Sequence, residues 1–197
     1  MEAAEIELKF PVNDPEALLH RLGSLGFQLD TPRTFESNTL YDTEDRGLRA
    51  QRQILRLRDY GGRWTITHKR QPAGDATPPR YKVRLETETT VDDGPAMGAL
   101  LQQIGYGPVF RYEKFRTEWS DPASPGTHLV LDETAIGTFA ELEGPTEWID
   151  GTLERLGVTP ESCLTESYGK LFLLWKERTG SPAEHLTFEE IGSGAAV

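Results

Sequence analysis

The chain has 197 residues, 37% of them hydrophobic, with 32 acidic against 21 basic side chains and a formal net charge of −11. One domain of this length can bury a core without disulfide or metal staples, while the surplus of negative charge disfavours nucleic acid or an anionic membrane surface as a partner. The single cysteine, Cys163, excludes an intrachain disulfide framework and a multi-cysteine zinc site.

The first residues, MEAAEIELKF, are acidic where a signal peptide would be basic. The longest apolar run, Leu171 to Trp175, is far short of the roughly 20 residues of a membrane helix. A soluble, cytoplasmic protein is expected. From Glu5 to Phe10 the side chains alternate, Ile6, Leu8 and Phe10 against Glu5, Glu7 and Lys9, which is the period of a strand. Asn13 is placed to cap a helix with Pro15 in its first turn, an apolar stripe of Leu18, Leu19, Leu22 and Leu25, and an end at Gly26. An extended stretch runs from about Phe35 to Asp42, followed by a polar segment through Arg46 and Gly47. Leu55 to Asp59 and Trp64 to Lys69, joined at Gly61-Gly62, read as a hairpin. The proline-rich insert QPAGDATPP, residues 71–79, reads as a mobile loop.

Further on, Tyr81 to Thr89 alternates as a strand, Pro95 to Ile104 reads as a short helix and Phe110 to Trp119 as another strand. His128 to Asp132 and Phe139 to Glu143 form a strand pair around Gly137. Residues 146–157 and 165–178 read as helices, and Pro182 to Val197 as a loose tail. About eight strands in adjacent short-connected pairs, without regular βαβ alternation, favour an antiparallel α+β fold or a barrel.

The residues opposite the apolar ones carry the chemistry. Arg56 and Arg58 alternate with Leu55 and Leu57, and Lys69 is in phase with Thr65 and Thr67. Lys82, Arg84, Glu86 and Glu88 lie opposite Val83 and Leu85; Lys114, Arg116 and Glu118 share one face; Asp132, Glu141 and Glu143 end the series. Same-face neighbours on a strand stand about 6.6 to 7 Å apart, so each strand lays a row of charge along one side. Taken singly, each row is a solvated face with interleaved ion pairs. A closed barrel would instead gather the rows around a central channel, with the apolar faces packed outward against helices. Carboxylates without cysteine or paired histidine suit a hard cation such as Mg²⁺ or Mn²⁺, whereas arginine and lysine suit phosphate oxygens; the mixture points to a metal-bound polyphosphate.

Several segments carry a resemblance: the ExExK signature of Glu5, Glu7 and Lys9, the LRLR pair, the lysine closing WTITHK, the RLETE and KFRTEW strands, and LDETAIGTFAELEG. With these, the chain resembles a CYTH-domain protein of the triphosphate tunnel metalloenzyme family, from Glu5 to about Tyr168, where ESYGKL is similar to the family's C-terminal helix. The resemblance implies an α+β fold built on an eight-stranded antiparallel tunnel barrel with flanking helices over residues 1–178, and a flexible tail over 179–197. It implies hydrolysis of a triphosphate, inorganic or organic, with Mg²⁺ or Mn²⁺. A class IV adenylyl cyclase and a non-catalytic polyphosphate- or nucleotide-binding module are the alternatives. Here MEAA stands where the cyclase branch carries a His-Phe pair shortly before ExExK, which favours the hydrolase.

Carried over by position, Glu5, Glu7, Asp132, Glu141 and Glu143 would hold metal. Lys9, Arg56, Arg58, Lys69, Arg84, Lys114 and Arg116 would grip the phosphates, and Glu5, Glu7, Lys9 and Arg58 would take part in catalysis. Glu86 is expected in the same tunnel; Glu88 and Glu118 are either metal-shell residues or partners for arginines. Lys170 reads as an exposed helical lysine, Ser167 and Tyr168 as cap and packing residues, and His128 as a histidine near a strand face. The expected partner is a small triphosphate-containing molecule, with no nucleic acid and no membrane, bound by a monomer or homodimer.

Overall fold

The computed structural model describes residues 3–72 and 80–192. β1 (Ala3–Pro11) leads through α1 (Pro15–Ser24) into the long β2 (Gln28–Asp42), and α2 (Gly47–Ala50) is a single turn before the hairpin of β3 (Ile54–Tyr60) and β4 (Arg63–Arg70). β5 (Lys82–Val91), α3 (Gly94–Gln103), β6 (Gly107–Ser120), β7 (His128–Thr134) and β8 (Gly137–Glu143) follow. α4 (Thr146–Leu156), α5 (Tyr168–Thr179) and α6 (Phe188–Ile191) complete the described chain. The strands close into an antiparallel barrel in the order β1-β5-β4-β3-β2-β6-β7-β8, with β8 returning to β1. The β3–β4 hairpin turns at Gly61 and Gly62, both at positive φ (59° and 86°), the conformation a two-residue turn between right-twisted strands requires.

Local chemistry explains where the boundaries differ from expectation. The α1 cap is Asp14, not Asn13: its carboxylate accepts the backbone N–H of Ala17 at 2.9 Å. β2 starts seven residues earlier than Phe35. Its first half pairs with β6 through register shifts between Leu29 and Thr34, and Pro32 falls in that irregular stretch, where a missing N–H is tolerated. The polar segment after Asp42 contains α2, whose Leu48 and Arg49 N–H groups are accepted by the Asp42 carboxylate at 2.9 and 3.0 Å. Most of the 71–79 insert lies outside the described residues.

The apolar faces of the strands point outward and are covered by helices. Leu8, Phe10, Leu129, Leu131 and Leu142 pack against Leu22 of α1 and against Ile149 and Leu153 of α4. Leu101 of α3 packs on Tyr41 and Leu57. Gly94, opening α3, lies against Trp64 so closely that a Cβ would come within 2.0 Å of the indole. Tyr168 and Phe172 of α5 pack on Tyr112 and Phe139 together with Ala183 and Leu186.

That last cluster corrects the expectation of a loose tail for the described part of residues 182–197. The Leu186 N–H donates to the Arg111 carbonyl at 3.0 Å and the Leu186 carbonyl accepts from the Glu113 N–H at 2.9 Å. β7 pairs with β6 only from Lys114 onward, so the backbone of Arg111 and Glu113 is free to bind this segment. The Phe188 N–H then reaches the Glu113 carboxylate at 3.1 Å. No helix among the described residues is long and apolar enough to cross a membrane.

Candidate functional site

Closure of the barrel turns the polar rows inward around a cavity of about 560 Å³. Six of the seven cations expected to grip phosphate line it: Lys9, Arg56, Arg58, Lys69, Lys114 and Arg116. Arg84 does not. Its guanidinium turns back to the Val83 carbonyl at 2.9 Å, and Glu5, its cross-strand neighbour, is taken by Lys69 at 3.1 Å. Lys82, two residues away on β5, lines the cavity instead.

Strand register decides which charges meet. Lys9 and Glu141 are opposite each other across β1 and β8, Glu7 and Lys82 across β1 and β5, and Lys69 and Glu86 across β4 and β5; each pair is joined by an ion pair. Glu141 also accepts from Arg116 at 2.8 Å. Arg58 is held by Thr65 at 3.2 Å and Glu88 at 3.3 Å. Glu7 and Glu143 are direct cross-strand neighbours, with Glu5 two residues along β1, so three expected metal-binding carboxylates share one corner of the barrel. Among the described residues, however, no three acidic, histidine or cysteine side chains are already gathered at ligand spacing.

Asp132 is not among the cavity-lining residues. It is fully buried and its oxygens are occupied: Oδ1 accepts from Arg116 Nε at 2.7 Å, and Oδ2 from Lys114 at 2.8 Å, Arg116 Nη2 at 2.6 Å and the Tyr168 hydroxyl at 2.7 Å. In this arrangement it anchors cations from behind the cavity wall. Glu36, which the sequence left unremarked, plays a similar part from β2. It is fully buried, 3.4 Å from Lys114 and 3.9 Å from Arg58, and accepts from Asn38 at 2.8 Å. Its signal was its strand parity: Glu36, Asn38 and Leu40 share a face, but the polar and apolar residues of that stretch do not separate cleanly.

The electrostatics follow from this crowding. Against burial, which favours the neutral acid, Lys82, Lys9 and Lys69 hold Glu7 down to about 2. Glu36, likewise against burial, is held to about 2 by Lys114 and Arg116, and Asp132 is held far below the usual carboxylate range by Arg116 and Lys114. Two acids go the other way. Burial and a hydrogen bond shared with Glu5 push Glu86 up to about 8. Although Glu143 reaches solvent, the protein around it and the charges of Glu5 and Glu7 push it up to about 7. Burial pulls Lys9 down to about 7 against the attraction of Glu7.

Ser167 caps α5 as expected, accepting from the Lys170 N–H at 3.3 Å. Tyr168 does more than pack: with Ser167 and Gly169 it lines the cavity. Glu86, Glu88, Glu118 and His128 line it too. Lys170 lies on α5 and is not one of the lining residues.

The closed antiparallel barrel with lysine, arginine and glutamate rows inside encloses a densely charged cavity. The sequence profile of the CYTH domain matches residues 3–154, and the chain belongs to that family. A Methanocaldococcus jannaschii protein named as a candidate adenylate cyclase is 24% identical over 176 residues, covering 85% of this chain and 97% of that protein. A solved Vibrio parahaemolyticus structure, also named as a candidate adenylate cyclase, matches with a TM-score of 0.74 at 21% identity, over 86% of this chain and 97% of its own. A Hippeastrum protein, described as a candidate adenylyl cyclase with a dominant triphosphatase activity, matches with a TM-score of 0.59 at 21% identity, over 89% of this chain and 96% of its own. At such identities the structural likeness concerns the fold.

Proposed function

We propose that this protein hydrolyses a triphosphate, inorganic tripolyphosphate or an organic triphosphate, with Mg²⁺ or Mn²⁺. The observation that carries this is the cavity itself: Lys9, Arg56, Arg58, Lys69, Lys82, Lys114 and Arg116 converge on one enclosed space. That is more positive charge than a single phosphate group can use. Arginines and lysines fixed before the ligand arrives can hold a phosphate chain and neutralise charge developing on the phosphoryl oxygens, without reorganising during the reaction. Arg58, its Nε and Nη2 held by Thr65 and Glu88, would bring a fixed guanidinium charge to a phosphate oxygen. Lys9, ion-paired with Glu141, would meet a phosphoryl oxygen as a fixed cation.

The metal fits the donor chemistry. Glu5, Glu7 and Glu143 offer hard carboxylate oxygens at one corner, and their mutual repulsion, expressed in the raised Glu143, is what a divalent cation would relieve. Bound there, Mg²⁺ or Mn²⁺ would neutralise phosphate charge and polarise the attacking water. Asp132, bound by Lys114, Arg116 and Tyr168 and absent from the lining, is assigned instead to holding those two cations; Glu141, ion-paired as Glu5 and Glu7 are, lines the cavity with them. The Hippeastrum protein's described activity supports hydrolysis; the names of the M. jannaschii and V. parahaemolyticus proteins support the cyclase as a second reading.

Purified protein supplied in turn with tripolyphosphate, ATP and thiamine triphosphate, with Mg²⁺ or Mn²⁺, separates the readings. Orthophosphate as product is the expected result. Cyclic AMP and pyrophosphate in equal amounts from ATP would establish the cyclase, and binding without turnover would leave a non-catalytic module.

A further inference from the structure

Tyr168 meets three of the cavity's cations in two different ways. The Lys9 ammonium lies 4.2 Å from the centre of its ring and the Lys114 ammonium 5.0 Å from it. Its hydroxyl donates to Asp132 Oδ2 at 2.7 Å, and Asp132 in turn binds Lys114 and Arg116. The ring is itself held. Tyr112 stacks on it at 5.9 Å and 27°, Phe139 meets it edge-on at 5.9 Å and 73°, and the Ser167 cap fixes the first turn of α5 from which it projects.

Two ammonium groups on one ring repel each other; Glu141 on Lys9 and Glu36 and Asp132 on Lys114 offset that repulsion, but as carboxylates they also compete with an incoming anion. The negative face of an aromatic ring attracts a cation without a charge of its own, so it steadies both lysines without competing as an ion-pair partner for the incoming anion. Asp132, by contrast, is fully buried and does not line the cavity. We propose that Tyr168 is a positioning residue that holds Lys9 and Lys114 in place for a triphosphate, by its ring directly and by its hydroxyl through Asp132. This extends the proposed triphosphate site and rests on it.

The test replaces Tyr168 by phenylalanine and by its mono-, di- and trifluorinated analogues, which keep the ring's shape while progressively cancelling its negative face. The dissociation constant of tripolyphosphate is measured by titration calorimetry. Tyr168→Phe is expected to weaken binding about threefold or less, and the trifluorinated ring about tenfold further, with the intermediate rings ranked between. A role in packing alone would give one affinity for the whole series. In the ligand-free protein, the ring-current shifts of the Lys9 and Lys114 side-chain methylenes seen by NMR should vanish in Tyr168→Leu. A flat fluorination series, or affinity that tightens as the ring loses its negative face, would overturn the role given to Tyr168. A wild-type protein that does not bind tripolyphosphate would overturn the triphosphate site itself, and this role with it.

Discussion

Glu36 on β2 and Lys114 on β6 stand opposite each other in register and are joined at 3.4 Å, the carboxylate fully buried behind the cations of the cavity wall. Arg58 and Arg116 lie 3.9 and 4.0 Å from the same carboxylate. Removing one member of a buried charge cluster leaves the others uncompensated, which typically costs about 3 to 5 kcal/mol. Glu36→Gln should therefore lower unfolding stability by about that much at pH 7, measured by urea titration. A loss below about 1 kcal/mol would mean that solvent already screens these cations.

The same residue predicts how the protein responds to acid. Glu36 is depressed from 4.5 to about 2, so the unfolded chain binds its proton at a higher pH than the folded one does. Its contribution is fully present above about pH 4.5 and disappears as the pH falls towards 2. Asp132, depressed in the same direction, adds to the loss at low pH. Stability plotted from pH 6 to pH 2.5 should fall steeply in the wild type and less steeply in Glu36→Gln; parallel curves would exclude Glu36 as a source of the slope.

Glu143 should behave in the opposite way. Its folded value is raised to about 7, so the folded protein holds a proton that the unfolded chain releases above about 4.5, and stability falls as the pH rises through that interval. In metal-free protein at pH 8, Glu143→Gln should melt at a higher temperature than the wild type, because it removes a like charge from beside Glu5 and Glu7. It should also lose the stabilisation given by added Mg²⁺. A lower melting temperature in metal-free buffer would show that Glu143 is engaged in a stabilising contact.

Alternation made much of this legible. A period of two assigns Glu5, Glu7 and Lys9 to one face and Ile6, Leu8 and Phe10 to the other, and the barrel keeps that division. Parity cannot show which inward side chain reaches the cavity. Asp132 and Glu141 are both inward acids on adjacent strands, yet Asp132 is consumed by Lys114, Arg116 and Tyr168 while Glu141 remains in the lining. Arg84 and Lys82 show the same: Glu5, opposite Arg84, is taken by Lys69, and Lys82, to which the sequence assigns no role, lines the cavity. Tyr168 was hidden because a tyrosine opening an apolar helix looks like core until the end of the barrel it covers is known.

Ligand binding gives a test of closure. A ligand that binds only the folded protein stabilises it by RT ln(1 + [L]/Kd), about 2.7 kcal/mol at 100 Kd. Tripolyphosphate spans several of the seven cations, whereas orthophosphate engages only a part of them. At equal concentration the melting shift with tripolyphosphate should be far the larger. Equal shifts would mean that the cations act as separate anion sites and not as one cavity.

The segment after α5 should be as structural as a barrel strand. Leu186 is fully buried among Tyr112, Phe139, Tyr168 and Phe172, and its backbone pairs with Arg111 and Glu113 where β6 has no other partner on that edge. Truncating a buried leucine removes its transfer energy and leaves a cavity, together about 2 to 5 kcal/mol. Leu29, 56% exposed, provides the control: its truncation should stay within about 0.5 kcal/mol. Leu186→Ala should also speed hydrogen exchange at the amides of Leu171 and Phe172, because the cluster that clamps α5 to the barrel is loosened. Leu8, Leu129 and Leu142, packed under α1 and α4, should be unaffected. If Leu186→Ala and Leu29→Ala proved equally mild, the docking of residues 183–188 against β6 would be too weak to hold α5, and the position of Tyr168 in the cavity would have to be secured by Ser167 and the Tyr112 stack alone.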